Sequence, residues 1–206
     1  MKHFWAVLWF LCFFGVLLWS GIHPKDRFTW FLEVAPALAG VLILAFTFFH
    51  FRLTGMVYFL ILLHSIILMI GGHYTYAEVP LFDWIKEAFG FSRNHYDRLG
   101  HFAQGFVPAI IAREIFIRRS PLKAGKWLFF VITCVCLAIS ACYELVEWQV
   151  AVRTGTAADA FLGTQGDPWD THEDMAFALF GAIVAQLWLS RFHDRQMKKL
   201  ISFDID

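Results

Sequence analysis

Carboxylates and histidines with helical spacing punctuate a chain that is otherwise strongly apolar. Asp97 and His101 are four residues apart and Glu144 and Glu147 are three apart, so each pair falls on one face of a helix. A third group lies in the stretch GDPWDTHEDM, residues 166–175, and comprises Asp167, Asp170, His172, Glu173 and Asp174. Carboxylates gathered in this way can cap a helix, hold a metal ion or handle protons.

The composition of the chain indicates an integral membrane protein. Hydrophobic residues make up 59% of its 206 residues, with 24 Phe and nine Trp, and the mean hydropathy is +0.58. Lys plus Arg equals Asp plus Glu at 17 each, which gives no bias toward nucleic acid. The cysteines lie in apolar runs without CxxC spacing and predict neither a disulfide framework nor a zinc ribbon. They are Cys12, Cys134, Cys136 and Cys142.

Six apolar runs approach the roughly 20 residues that a helix needs to cross a bilayer. These runs extend over residues 4–19, 30–49, 53–72, 99–116, 127–150 and 175–189, the last being the shortest. We therefore predict one integral membrane domain over residues 1–206, with an all-α fold. It is a polytopic membrane helix bundle with about six transmembrane helices. Pro36 and Pro108 fall inside two of the spans, where we expect them to kink the helices.

The distribution of basic residues orients this bundle. The loop after the fourth span and the tail after the sixth span carry most of the positive charge, which marks them as cytoplasmic. The basic residues are Arg118, Arg119, Lys123 and Lys126 in the loop, and Arg191, Arg195, Lys198 and Lys199 in the tail. Both termini are then predicted to be cytoplasmic, and the acidic groups gather at the outer end of the bundle.

Each of these polar residues also has a purely structural interpretation. Asp170 and Glu173 fit a helix capping box, and capping is the better interpretation for Glu173. A single histidine such as His101 on an apolar face is more often a packing residue than a ligand. Glu144 and Glu147 are harder to explain, since a charge inside a membrane helix costs about 2.5 to 3.5 kcal/mol even on insertion scales.

Because several predicted helices deliver polar groups to one depth, we predict a single site. Its members are Asp97, His101, Glu144, Glu147, Asp170 and Asp174, with Asp167, His73 and His172 as candidates for an outer layer. Carboxylates with one or two imidazoles suit a divalent metal such as Zn, Mn or Fe, and His101 is the most selective ligand. Glu144, Glu147 and His101 are the candidate catalytic residues. The HExxH motif is absent from the sequence, so the spacing alone does not diagnose a metal.

Three motifs carry a family resemblance. They are YDRLGHFAQGFVP at 96–108, CYELVEW at 142–148 and FLGTQGDPWDTHEDM at 161–175. With the hydropathy along the whole chain, they resemble the YjdF family of bacterial inner-membrane proteins. The resemblance implies a multi-pass protein of the bacterial inner membrane and implies no known activity.

A more distant resemblance is to VanZ-like membrane proteins. These pair an Asp-basic-x-x-His helix opening with Glu-x-x-Gln on the next helix and Asp-x-x-x-Asp before a glycine-bearing last helix. The matching residues are Asp97, Arg98, His101, Glu144, Asp170, Asp174 and Gly181. Glu147 stands where the pattern has Gln and Ala178 where it tends to have Asn, which makes this site more acidic. VanZ-like proteins are associated with teicoplanin resistance, so the resemblance implies work in the cell envelope without naming a reaction.

The sequence leaves three functional hypotheses open. In the first, the acidic cluster binds a divalent metal and the protein acts on, or binds, a lipid-linked or envelope substrate that enters from the membrane. In the second, the protein is a proton- or cation-coupled transporter or a lipid-handling protein, with Glu144, Glu147 and His101 as a relay. In the third, the cluster is a structural polar plug without chemistry. Whether the protein is an enzyme is therefore not decided at this level.

Overall fold

The computed structural model describes residues 2–155 and 159–203, and within them the chain is helical with short connections. The helices are α1 (Lys2–Gly21), α2 (Arg27–Thr47), α3 (Gly55–Tyr74), α4 (Pro80–Phe89), α5 (Tyr96–Arg119), α6 (Lys126–Thr154), α7 (Asp159–Leu162) and α8 (Asp170–Phe203). A short 3₁₀ turn, Tyr76–Glu78, precedes α4. The predicted all-α membrane bundle is confirmed.

Within residues 2–155 and 159–203, five helices are long and apolar enough to cross a membrane, namely α1, α2, α3, α6 and α8. The remaining predicted span, 99–116, lies within α5, which has the length of a span but is less apolar than these five helices. Helix α5 carries buried charges at both ends, Asp97 and His101 at one and Arg113 and Glu114 at the other. Its surface is covered by α3, α6 and α8, so it needs little apolar surface facing lipid.

Each predicted span coincides largely with one helix, but the helix ends differ from the apolar runs. The run at 175–189 is only the middle of the 34-residue helix α8, because polar residues continue the helix in both directions. Pro36 and Pro108 lie inside α2 and α5, and both helices continue through them. The apolar runs do not predict α4, an amphipathic helix of ten residues between α3 and α5.

The centre of the bundle is the close crossing of α5 and α8, which is the most extensive helix pairing. A Cβ atom on Gly105 would lie 1.7 Å from the carbonyl oxygen of Ala178, and one on Gly181 would lie 2.1 Å from that of Phe102. The two backbones therefore touch, and only glycine fits at these points. Ala182 and Ala185 are fully buried in the same interface.

The main hydrophobic core surrounds this crossing with side chains from four helices. Val57 of α3, Ile110 of α5, Ile132 of α6 and Ala185 of α8 are all fully buried in it. Helices α1 and α2 pack on α3 through a second cluster that contains Phe13. The crossing brings the first turns of α5 and α8 and the last turns of α6 to one end of the bundle.

Candidate functional site

His101 lies at the centre of a group of buried carboxylates contributed by three helices. Its Nε2 atom lies 3.5 Å from Asp97 Oδ1 and 3.8 Å from Asp174 Oδ2. Its Nδ1 atom lies 3.7 Å from Glu144 Oε1 on α6. Glu147 belongs to the same group, since it offers a ligand atom within 4.8 Å of those of His101 and Glu144. We call Asp97, His101, Glu144, Glu147 and Asp174 the His101 cluster.

Gln104 fixes the histidine ring. Its Oε1 atom lies 3.2 Å from His101 Nδ1, one turn further along α5. An amide oxygen only accepts, so Nδ1 is the nitrogen that donates in this contact, and the opposite nitrogen, Nε2, faces Asp97 and Asp174. A histidine whose second nitrogen is held in this way is typical of metal ligands.

Several carboxylate oxygens of the cluster are buried without a hydrogen-bond partner. They are Asp97 Oδ2, Glu144 Oε1 and Asp174 Oδ1. The three residues are only 6%, 7% and 2% exposed, so water cannot solvate them freely. Leaving a charged group buried and unpaired costs several kcal/mol (~2–5) relative to a satisfied one. The cluster is therefore an unfavourable arrangement unless protons or a cation complete it.

The atomic spacing fits a bound ion better than it fits direct hydrogen bonds. Distances of 3.5 and 3.8 Å from Nε2 are too long for good N–H···O bonds. Two ligands about 2.1 Å from one ion in tetrahedral positions are about 3.4 Å apart. The two His101–carboxylate pairs thus need to contract by only a few tenths of an ångström (~0.1–0.4) to reach that spacing, and the ligand atoms of Asp97, His101 and Asp174 all lie within 4.8 Å of one another.

Carboxylates outnumber cations around the cluster. Glu33 of α2 is also buried and close enough to interact electrostatically with Asp97 and His101. The acidic residues are Glu33, Asp97, Glu144, Glu147, Asp167, Asp170, Glu173 and Asp174, and the basic ones are Arg93, Arg98 and His101. Even with His101 protonated, this set carries a surplus of negative charge that favours a divalent cation.

Two arginines form the rim of the cluster and take up part of this charge. The Arg93 guanidinium contacts Asp170, lies 3.3 Å from Asp167 and lies 3.5 Å from Asp97. Arg98 contacts Asp167 at 3.1 Å and also Glu173. The Trp169 amide and the Arg93 guanidinium hold the pKa of Asp167 below its ordinary value. The rim carboxylates are thus paired closely with arginines, whereas Asp97 in the cluster has only the longer, 3.5 Å contact with Arg93.

The structure brings most of the predicted site residues together, and it assigns different neighbours to the others. Asp170 lies on Arg93 instead of beside His101. Asp170 and Glu173 do not form the expected capping box, because their carboxylates face the two rim arginines. His73 approaches the Ser20 carbonyl at 3.0 Å, and exposed His172 packs on Trp169, so neither reaches the cluster.

Sequence reasoning missed Arg93, Gln104 and a second polar group at the opposite end of α5 and α8. In that group, Glu114 accepts hydrogen bonds from Arg118 at 2.6 Å, from His193 at 2.9 Å and from the Thr54 amide and hydroxyl at 3.0 and 2.8 Å. Arg113 adds an ion pair to Asp194 at 2.8 Å. We call these residues the Glu114 network. Glu114 and His193 are 79 positions apart in the chain, so no local sequence pattern predicts that they meet in this network.

The chain is similar to known membrane proteins over nearly its whole length. A family model described as "Predicted membrane protein (DUF2238)" matches residues 5–195. The inner membrane protein YjdF of Escherichia coli is 50% identical over 184 residues, which cover 89% of this chain and 88% of that protein. No solved structure matches the chain.

Proposed function

We propose that this chain, which belongs to the DUF2238 family of predicted membrane proteins, binds a divalent transition-metal ion in the His101 cluster. The ion would lie between Asp97, His101 and Asp174, on the Nε2 side of the imidazole. Imidazole with carboxylate oxygens is a ligand set that suits Zn, Mn or Fe and discriminates against Mg and Ca.

The observation that carries the proposal is the combination of an oriented imidazole with unpaired carboxylate oxygens. Gln104 Oε1 lies 3.2 Å from Nδ1, so Nε2 is the ring nitrogen that is turned toward Asp97 and Asp174. Asp174 Oδ1 is buried beside it without a hydrogen-bond partner, and Asp97 Oδ2 has no hydrogen bond and only a 3.5 Å contact with the Arg93 guanidinium. A plug that only filled space would be expected to pair these groups, as the Glu114 network does.

Glu144 and Glu147 have a different role in this proposal. They lie on the Nδ1 side of the ring, where Glu144 Oε1 is 3.7 Å from that nitrogen. Two carboxylates on one face of α6 cannot both carry an unshielded charge there, so one of them holds a proton. A bound divalent ion supplies Lewis acidity, and these glutamates accept and return protons beside it.

The proposed substrate reaches this site from the membrane. The cluster lies at the ends of membrane helices, and the basic loop and tail at the other end favour placing it on the periplasmic side of a bacterial inner membrane. A molecule with a polar group at this depth and an apolar part in the bilayer fits that position. We therefore propose chemistry on, or binding of, a lipid-linked envelope substrate.

Metal analysis of detergent-purified protein tests the proposal. After equilibration with Zn, Mn or Fe and removal of free ion, the wild type is expected to retain about one ion per chain. His101→Ala and Asp174→Asn should lose it, because each removes a ligand on the Nε2 side. His172→Ala is the matched control, since His172 is exposed beside Trp169 and should leave the metal content unchanged.

Two outcomes would contradict the metal site. The first is a wild type that retains none of the three ions, and the second is a His101→Ala variant that retains as much as the wild type. A comparison of envelope lipids from deletion cells carrying wild type or His101→Ala then tests the chemistry. Identical lipid profiles with a confirmed metal would reduce the site to a structural one.

A further inference from the structure

Helix α4, Pro80–Phe89, has a large apolar face with no protein against it. Leu81, Trp84 and Phe89 are 62%, 63% and 69% exposed, and none of the ten helix residues is fully buried. With a turn of 3.6 residues, Leu81, Trp84, Ala88 and Phe89 fall on one side of the helix. Asp83, Lys86 and Glu87 fall on the other side.

The orientation of α4 is fixed by contacts along one edge. Asn94 is fully buried and donates from its side-chain amide to the Val79 carbonyl at 3.1 Å and to Asp83 Oδ1 at 2.9 Å. The Phe82 ring packs edge-on against Tyr96, with centroids 5.2 Å apart. Because these contacts involve Phe82 and Asp83, the side that carries Leu81 and Trp84 faces away from the bundle.

The position of α4 in the chain places it at a membrane boundary. It follows α3, which is long and apolar enough to span the bilayer, and it precedes α5 at the end that carries the His101 cluster. Ten residues of helix are only about 15 Å long, which is half of the hydrocarbon thickness, so α4 cannot cross. Exposed Trp19 and Trp169 at the same end of α1 and α8 are typical of the interfacial layer.

We propose that α4 is an interfacial helix that lies in the plane of the membrane. Its apolar face sits at the boundary between head groups and acyl chains, and on the other side the exposed Glu87 points to water while Asp83 is held by Asn94. Asp83, Lys86 and Glu87 give this face no excess of positive charge, so its contact with the bilayer does not require anionic lipid. The proposal does not depend on a metal in the His101 cluster.

This placement sets the depth of the candidate site. Helix α4 ends at Gly90, which adopts a left-handed conformation with φ of 66°, and the chain then turns back to Arg93 and Asn94. Arg93 holds Asp97 and Asp170 at the rim of the cluster. An α4 fixed in the head-group layer therefore holds the site at the level where lipid head groups lie.

Site-directed spin labelling in vesicles tests the placement. In a chain with its four native cysteines replaced by serine, single nitroxides are introduced by Leu81→Cys, Trp84→Cys, Ala88→Cys, Lys86→Cys and Glu87→Cys. The ratio of oxygen to water-soluble nickel collisions should be severalfold higher at the first three positions than at the last two. It should be the same in phosphatidylcholine vesicles with and without phosphatidylglycerol. Ile139→Cys, on the exposed side of α6, is the deep reference.

The proposal is overturned if nickel dominates at all five positions, which would place α4 in water. It is also overturned if neither reagent reaches Leu81, Trp84 and Ala88, since a protein partner would then cover the face. A second measurement avoids cysteine replacement: the fluorescence difference between wild type and Trp84→Phe is recorded with brominated lipids. Bromine near the head groups should quench that difference more strongly than bromine near the chain ends, and no quenching by either would contradict the placement.

Discussion

The two polar clusters at opposite ends of the α5–α8 pair are built from the same kinds of residue but differ in how completely they are satisfied. In the Glu114 network, both carboxylate oxygens of the fully buried Glu114 accept hydrogen bonds, and His193 uses both ring nitrogens. In the His101 cluster, Asp97, Glu144 and Asp174 each keep a buried oxygen without a hydrogen bond, although the Asp97 oxygen has a 3.5 Å contact with Arg93. One cluster is internally complete and the other is not.

This difference is the basis on which we propose a structural role for the Glu114 network and a functional role for the His101 cluster. A buried charge with a full set of partners ties helices together, whereas unpaired buried carboxylates lower the stability of the fold. Unfavourable groups of this kind are retained where activity requires them, and they are expected at functional sites. The Glu114 network therefore locks α5, α8 and the segment before α3, and the His101 cluster is the end at which we propose that a ligand binds.

The comparison predicts its largest change in stability for the substitution Glu114→Ala. Glu114→Ala leaves the buried His193 and Thr54, and the partly buried Arg118, without their shared acceptor. Breaking one partner of such a network is expected to reduce the free energy of unfolding by about 3–5 kcal/mol. Thermal unfolding of the detergent-solubilised protein measures this loss.

Glu87→Ala is the matched control, because the Glu87 side chain is exposed on the charged side of α4. Its effect should remain within about 0.5 kcal/mol, as for most surface substitutions. If Glu114→Ala were as mild as Glu87→Ala, the Glu114 network would not be a structural lock and the comparison would fail.

In the metal-free protein, the substitution Glu144→Gln is expected to raise the free energy of unfolding instead of lowering it. Glu144→Gln removes a buried charge that has one unpaired oxygen, and it keeps the size and an accepting oxygen of the side chain. We expect the free energy of unfolding to rise by about 0.5–2 kcal/mol, the usual gain from relieving an unfavourable functional group. Unfolding is measured after chelation, so that bound metal does not mask the effect.

A destabilisation by Glu144→Gln comparable to that of Glu114→Ala would remove the distinction between the two clusters. Both would then be structural networks. Metal uptake in the same variant distinguishes the roles further: a loss of affinity smaller than that of His101→Ala fits a glutamate on the Nδ1 side of the ring.

The helical part of the His101 cluster follows from the sequence, because regular spacing fixes which residues share a face. Asp97 with His101, and Glu144 with Glu147, are predictable for this reason, and the apolar runs set the helices that carry them. Arg93 lies in the loop before α5, where no periodicity constrains it, and Gln104 is one polar residue among many on its helix. These two residues decide which carboxylates are neutralised and which ring nitrogen is free.

The Glu114 network and α4 could not be predicted for two different physical reasons. Glu114 looks like the single acid of a basic loop until the α5–α8 crossing brings His193 to 2.9 Å from it. That crossing depends on Gly105 and Gly181 as partners of backbone atoms far along the chain. Helix α4 is too short and too polar on one side to give the signal of a membrane span.

The smallest expected effect on stability concerns Asp167, which belongs to the ion-paired rim and not to the poorly satisfied centre of the His101 cluster. Asp167 lies outside the membrane helices, and the Trp169 amide with Arg93 and Arg98 holds its pKa below the ordinary value. Its ionised form is thus favoured in the folded state. The stability that it contributes is fully present above the unfolded-state pKa of about 3.9 and is lost as the pH falls through the lower folded-state pKa.

Asp167→Asn removes this titration, so the wild type should lose its advantage over the variant as the pH is lowered from about 5 to about 3. Unfolding temperatures of the two proteins across that range measure the difference, and added salt should reduce it because the rim is partly exposed. A difference that stays constant or grows on acidification would mean that Asp167 is not held ionised by its partners. The rim carboxylates would then be no better paired than those of the centre. Arg93 would mark the point at which paired charges end and unpaired ones begin.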